Sequence, residues 1–153
     1  MMKKTLTILG GIFAVLIVIA IVGITMVAIR GHALDKESQR YVDSAIPAIV
    51  SQWDITEIQK RASPELKAAA SDADLGKLVR MYAKLGKFKE YDGAKGQANI
   101  SVTSQNGKVI SAAYTGKAVF ETGPAEINIS LIKHGDQWQL LGLHINSKVF
   151  IEQ

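Results

Sequence analysis

The sequence contains no cysteine and only three histidines, and from residue 5 to residue 29 it carries no charged side chain at all. Without cysteine there is no disulfide scaffold, no thiolate metal site and no lipid attached through a lipobox; the absence fits any redox compartment. His32, His134 and His144 show neither H-x-x-x-H nor H-E-x-x-H spacing, so the common zinc patterns are missing. Asp72 and Asp74 read as helix-start acids rather than metal ligands. Gly93, Lys95 and Gly96 are far from a phosphate-cradling Walker loop, and Ser101, Ser104 and Ser111 lie on strand-like segments with no nucleophile signature. No cofactor and no metal are expected.

What is present instead is one long apolar run. The chain of 153 residues has a mean hydropathy of +0.14, high for one small domain, and residues 5–29 account for it. As a helix, 25 residues at about 1.5 Å each reach roughly 37 Å, enough to span a hydrocarbon core of about 30 Å with some tilt. A helix also satisfies its own backbone, as lipid requires. The competing reading is a cleaved signal peptide, with Lys3 and Lys4 as its basic start and a small-x-small site at Gly31 and Ala33. A signal core of about 7–15 residues is much shorter than this run, so an uncleaved anchor is expected. Counting Lys3 and Lys4 against Arg30, Lys36 and Arg40 does not by itself favour an inside N-terminus. The basic start followed by a long apolar run is nevertheless the layout of a signal anchor. The expectation is a single-pass protein of the bacterial inner membrane with its soluble part on the periplasmic or extracytoplasmic side. Within the span, Gly10 and Ala14 form a small-xxx-small pair suited to close helix approach, or simply reflect how common these residues are in spanning helices.

The organisation expected is therefore a short cytoplasmic end over residues 1–4, the anchor over 5–29, a juxtamembrane linker over 30–40 and a soluble domain over 41–153. In that domain, Tyr41, Ala45, Ala48, Ile49 and Trp53 fall at helical spacing, with Pro47 predicting a kink or break near Ile46. Asp54 with Glu57, Ser63 with Pro64 and Glu65, and Ser71 with Asp74 announce three further helices, the last closed by Gly86. Beyond Gly86 the apolar period changes to two. A short strand is expected before an Asp92–Gly93 turn, then strands around Ile100–Val102, Ile110–Phe120, Ile127–Leu131 and Leu141–Ile145, with a tight hairpin at Asn106–Gly107. Helices first and then a meander with short connections predict an α+β fold, three to four helices on a bent antiparallel sheet of four to five strands.

Two stretches, Leu85–Tyr91 (LGKFKEY) and Gly116–Gly123 running on through Leu131–Gly142, carry a resemblance. With three helices before a bent meander, the region over residues 41–147 resembles the nuclear transport factor 2-like (cystatin-like) superfamily, and the K-x-G-x-x-W-x-x-x-G-like ending is similar to small bacterial exported domains of that type. The resemblance implies a cone-shaped pocket between helices and sheet, and the superfamily hosts isomerases, dehydratases, ligand binders and assembly domains, so it sets no activity. One span with a small α+β domain also looks like assembly factors and accessory subunits of respiratory complexes.

The candidate residues follow from these patterns. Trp138, Leu140, His144 and Asn146, with Asn128, Ser130 and Ile132 beside them, are expected on a sheet face turned away from the helices, a partner surface. Lys77, Arg80, Lys84 and Lys87 recur at i, i+3, i+7 and i+10, one basic stripe for anionic lipid or an acidic partner, or simply a solvated helix face. Tyr41, Tyr114 and Phe120 are the candidate pocket residues. Asp43 and His144 are the best pair available for acid–base chemistry, and no acid interleaves on the apolar sheet face. After the span, 16 Lys and Arg face 14 Asp and Glu, which leaves no strong field beyond the stripe; the anchor and the missing aromatic–basic interleaving argue against nucleic acid as a partner. The expected function is non-enzymatic: an anchored interaction domain, accessory to a membrane protein complex or to a second copy of itself. The alternative is a small-molecule or lipid binding module.

Overall fold

The structure, a computed structural model, describes residues 31–151. The anchor, with Gly10 and Ala14, lies outside the described residues, and no helix among those described is long and apolar enough to cross a membrane. Contacts divide the chain between Leu34 and Asp35; the second unit is the α+β domain.

Its first helix, α1, occupies residues 35–52, and residues 31–34 are helical as well. Val42, Ala45, Ile46, Ile49 and Val50 form its buried stripe. Pro47 lies inside α1 without ending it. The expected break does not occur because the buried residues on both sides of Pro47 are held by the same core, which offsets the one backbone bond that proline removes. Trp53, at φ +50°, ends the helix instead. Three short helices follow, each from the cap foreseen. Asp54 accepts from Thr56 N–H to start α2 (Ile55–Arg61), Ser63 accepts from Leu66 N–H to start α3 (Pro64–Ala69), and Ser71 accepts from Asp74 N–H to start α4 (Asp72–Tyr82). Gly86 at φ +80° turns the chain into the sheet.

Four antiparallel strands form one sheet in the order β1–β2–β3–β4: β1 (Phe88–Thr103), β2 (Gly107–Phe120), β3 (Gly123–His134) and β4 (Gln137–Asn146). The expected Asp92–Gly93 turn is a bulge inside a single strand. Between Tyr91 and Ala94, β1 uses one residue more than β2, and Gly93 at φ +88° absorbs it. Ala112, Tyr114, Ala118, Phe120, Ile127, Ile129 and Leu131 face the helices and are buried. Helix α1 lies against this face: Ile46 Cδ1 comes within 2.8 Å of where a Gly116 Cβ would stand. Tyr82, at the end of α4, accepts a bond from the Ile145 N–H at 3.2 Å. Helix α3 flanks β4, with Ser63 N–H bonded to Leu140 C=O at 2.8 Å.

Candidate functional site

A bulge in β4 decides which residues reach the open sheet face. Leu131 pairs with Leu140, but Ser130 pairs with Gly142. Leu141 is the extra residue, and it shifts the alternation of β4 by one. Trp138 and Leu140 therefore share the helix-facing side with Leu143 and Ile145, and they are buried, Leu140 at 0% and Trp138 at 8% exposure. The expectation that both lie on an outer partner surface is corrected: a strict period of two cannot hold across a bulge. His144 and Asn146, beyond it, are exposed as expected.

Among the described residues no helix covers the other face of the sheet, and this helix-free face is built in rungs. Lys95, Thr115, Asn128 and His144 form one; Gln97, Ala113, Ser130 and Gly142 form the next. Thr115 Oγ1 donates to Asn128 Oδ1 at 2.8 Å. Because Ala113, Ser130 and Gly142 are small, the second rung sinks into a shallow trough of about 370 Å³ bordered by Thr115, Asn128 and His144. A side chain at Gly142 would meet Ser130 Oγ at 2.9 Å, so the trough and its floor belong to one packed unit.

The pocket candidates separate. Tyr114 is a core residue whose hydroxyl lies 2.8 Å from the buried Ser38 Oγ and donates to Asp35 C=O at 3.1 Å. Phe120 stacks on Trp53 at 5.5 Å and meets Phe88 edge-on at 6.0 Å. Phe120 fills the interior, while Tyr114, although buried, also borders a shallow surface depression with Asp35, Gln39 and Gly96. Tyr41 borders a surface cleft of about 550 Å³ together with Glu37, Lys60, Arg61, Asp136, Gln137, Trp138 and Gln139. Burial raises the Tyr41 hydroxyl above its ordinary range, and Arg61 opposes the shift. Lys133 binds Glu37 at 2.6 Å and stands 5.6 Å over the Trp138 ring. Arg61 is tied to the Glu57 carboxylate and carbonyl. By strict geometry Trp138 Nε1 and Gln139 Oε1 are buried without a hydrogen-bond partner, although the Trp138 N–H is near enough to the Glu37 carboxylate to help lower its pKa. Glu37, Lys60, Arg61 and Gln139 escaped the sequence reading because the cleft joins α1, α2 and β4, and no local spacing links such distant positions.

The Lys133 bond, followed by its charge, holds the Glu37 carboxyl below the usual range despite some burial. Bonds from Arg61 and Lys60 do the same for Glu57, and the cap bonds from Thr56 and Ser71 do so for Asp54 and Asp74. A carboxyl whose folded pKa is depressed adds stability that is present above its unfolded pKa and is lost as pH falls through the folded value. The urea midpoint should therefore fall on acidification through and below the carboxylate range. Lys133→Met should weaken the Glu37 share of that fall. A midpoint unchanged between neutral pH and about pH 3 would contradict these ion pairs and caps.

The basic stripe is shorter than its spacing implied. Helix α4 ends at Tyr82, a 3-10 turn covers Ala83–Leu85, and Lys87 lies beyond Gly86 at the start of the sheet. Lys77, Arg80, Lys84 and Lys87 are all exposed, but only the first two share α4, and Lys77 stands 3.8 Å from Asp74. Asp43 and His144 are not brought together. Asp43 takes hydrogen bonds from Tyr91 and Gln39 on the helix side, while His144 belongs to the helix-free face. Among the described residues no group of three or more His, Asp or Glu side chains is placed to hold a metal ion. A comparison with protein-family models gives no match, and a comparison with curated proteins gives none either.

Proposed function

We propose that the chain is a membrane-anchored, non-enzymatic domain on the extracytoplasmic side of a bacterial inner membrane. It works by contact with a subunit of a membrane protein complex or with a second copy of itself. The observation that carries this reading is the helix-free sheet face. One side of the sheet is covered by helices, and the other presents Thr115, Asn128, Ser130 and His144 around a trough floored by Ala113 and Gly142. Shallow, with a floor of small residues and a rim of polar side chains, this face suits a protein surface better than a small molecule. The charge-free run over residues 5–29 supports the anchor, and the separation of Asp43 from His144 supports a role without acid–base chemistry. Helices ahead of a four-stranded meander are the element order that the nuclear transport factor 2-like resemblance needs.

The test is site-specific photocrosslinking from the full-length protein in its membrane. A benzophenone side chain at Ala113 or His144 should give one discrete adduct, and one at Lys67 on α3 should give none. Ser130→Arg, which fills the trough from a half-buried position, should abolish the adduct, and a melting curve on the variant checks that the fold is kept. Equal labelling from all three positions, or none from Ala113 and His144, would remove the reading.

A second reading rests on the cleft at Tyr41 and Trp138. Two buried polar atoms without partners, a donor at Trp138 and an acceptor at Gln139, suit a small polar ligand carrying both functions. Native mass spectrometry of the protein released from mild detergent distinguishes the two. A retained small molecule that is lost in Tyr41→Phe favours the ligand.

A further inference from the structure

The β1–β2 hairpin is longer than the helix that covers it. Helix α1 runs antiparallel to β1, fixed by a series of bonds. Asp35 Oδ1 accepts from Ala98 N–H at 2.8 Å, Gln39 Nε2 donates to Ala94 C=O at 3.0 Å, Tyr91 OH donates to Asp43 Oδ1 at 2.8 Å, and beyond the helix end Trp53 Nε1 donates to Gly86 C=O at 3.0 Å. Asp35 is where the chain joins the domain, so everything past Ala98 projects beyond that point. The strand continues from Asn99 to Thr103, about 17 Å at 3.3 Å per residue.

Register on this stretch is regular, with Ala98 opposite Ala112, Ile100 opposite Ile110 and Val102 opposite Lys108. Ile100 and Val102 therefore continue the apolar face that α1 covers elsewhere, and they remain 39% and 76% exposed. Lys108 is exposed on the same face, and Lys36 and Arg40 are exposed on the first turns of α1. An exposed apolar pair flanked by cations, at the end where the chain joins the domain, matches the chemistry of a membrane interface.

We infer that the distal hairpin, Asn99 to Lys108, rests in the lipid headgroup layer, with Val102 and Ile100 against acyl carbons and Lys108 on lipid phosphate. The inference rests on the anchor reading and adds a second point of attachment to it. The apolar run ends at residue 29, six residues before Asp35, which is at most about 22 Å of chain. The projecting hairpin, about 17 Å long, is within that reach, so it can meet the headgroups while the connection spans the same distance. Two attachments would hold the helix-free face at a fixed height and orientation above the bilayer.

The absence of cysteine makes the test free of background. Full-length Val102→Cys and, about 40 Å away along β1, Lys89→Cys are labelled with an environment-sensitive fluorophore in vesicles of neutral and anionic phospholipid. Nitroxide-headgroup lipid should then reduce emission at position 102 to about half or less and leave position 89 unchanged, the quencher acting only within the interfacial layer. Val102 is exposed, so its replacement spares the fold, and a melting curve on each variant checks this. Equal quenching at both positions overturns the inference. So does a blue-shifted label at 102 that lipid nitroxide does not quench, which would place protein over the hairpin. Flotation of the same vesicles separates the two failures. Protein that floats without quenching at 102 keeps the anchor and loses the hairpin contact; protein that does not float loses both.

Discussion

Leu140→Ala should lower the stability of the domain by about 2–5 kcal/mol, the range for emptying a leucine site in a packed core. Leu140 is fully buried. Its carbonyl receives the Ser63 N–H, and its backbone bridges Ala62, so it joins the α2–α3 connection to the sheet as well as filling volume. The neighbouring backbone is held by these bonds and cannot collapse fully into the space, which favours the upper part of the range. For a domain of this size that corresponds to a fall in melting temperature of roughly 10–20 °C. His144→Ala, on the opposite face and exposed, should stay within about 0.5 kcal/mol of the parent. Thermal melts of both variants, followed by circular dichroism, test the placement directly. An outward Leu140 would make the two variants behave alike.

Gly96→Ala should be still harder to accommodate. A Cβ at position 96 would stand 2.0 Å from Ala113 C=O, 2.7 Å from Tyr114 Cα and 2.8 Å from the Tyr114 ring. Two of these three atoms are backbone of the adjacent strand and cannot rotate away. The third belongs to a buried ring whose hydroxyl is bonded to Asp35 and lies beside Ser38. The strands must separate or the Tyr114 contacts must break, at a cost of about 3 kcal/mol or more, beyond ordinary overpacking. Loss of the Tyr114 contacts would also free the first turns of α1, so hydrogen exchange in Gly96→Ala should rise first around residues 35–42. Gly93→Ala is the informative companion. Its φ of +88° is strained for alanine, yet nothing lies within 4 Å of the added carbon. It should cost only about 1 kcal/mol, the penalty of the backbone conformation alone. Equal effects at positions 93 and 96 would show that strand contact is not what requires glycine at 96.

These two positions also mark where local reading of the chain succeeds and fails. The caps at Asp54, Ser63 and Ser71, the terminator at Gly86 and the hairpin at Asn106–Gly107 were legible because each is settled by a few adjacent residues. The alternation from Ala112 to Phe120 and from Ile127 to Leu131 was legible because no bulge interrupts it. Pro47 left a kink or a break open, and the break does not occur because Ile46, Ile49 and Val50 pack into the core on both sides of it. Asp92–Gly93 misled because a glycine at positive φ serves a bulge as well as a turn. Trp138 and Leu140 misled because one extra residue at Leu141 exchanges the two faces of β4, and nothing local distinguishes an extra residue from the next step of the alternation.

The sequence by itself determined the class of the fold, helices ahead of an antiparallel meander, because capping and hydrophobic period act over a few residues. Only the tertiary structure decided which residues the domain shows to its surroundings. The bulge in β4 put His144 on the open face and took Trp138 and Leu140 from it. The docking of α1 along β1 gathered Tyr41 and Glu37 beside Trp138, and left Ile100 and Val102 uncovered beyond Asp35. Strand register and the relative lengths of packed elements are settled by contacts between distant segments, and those contacts exist only once the chain has folded.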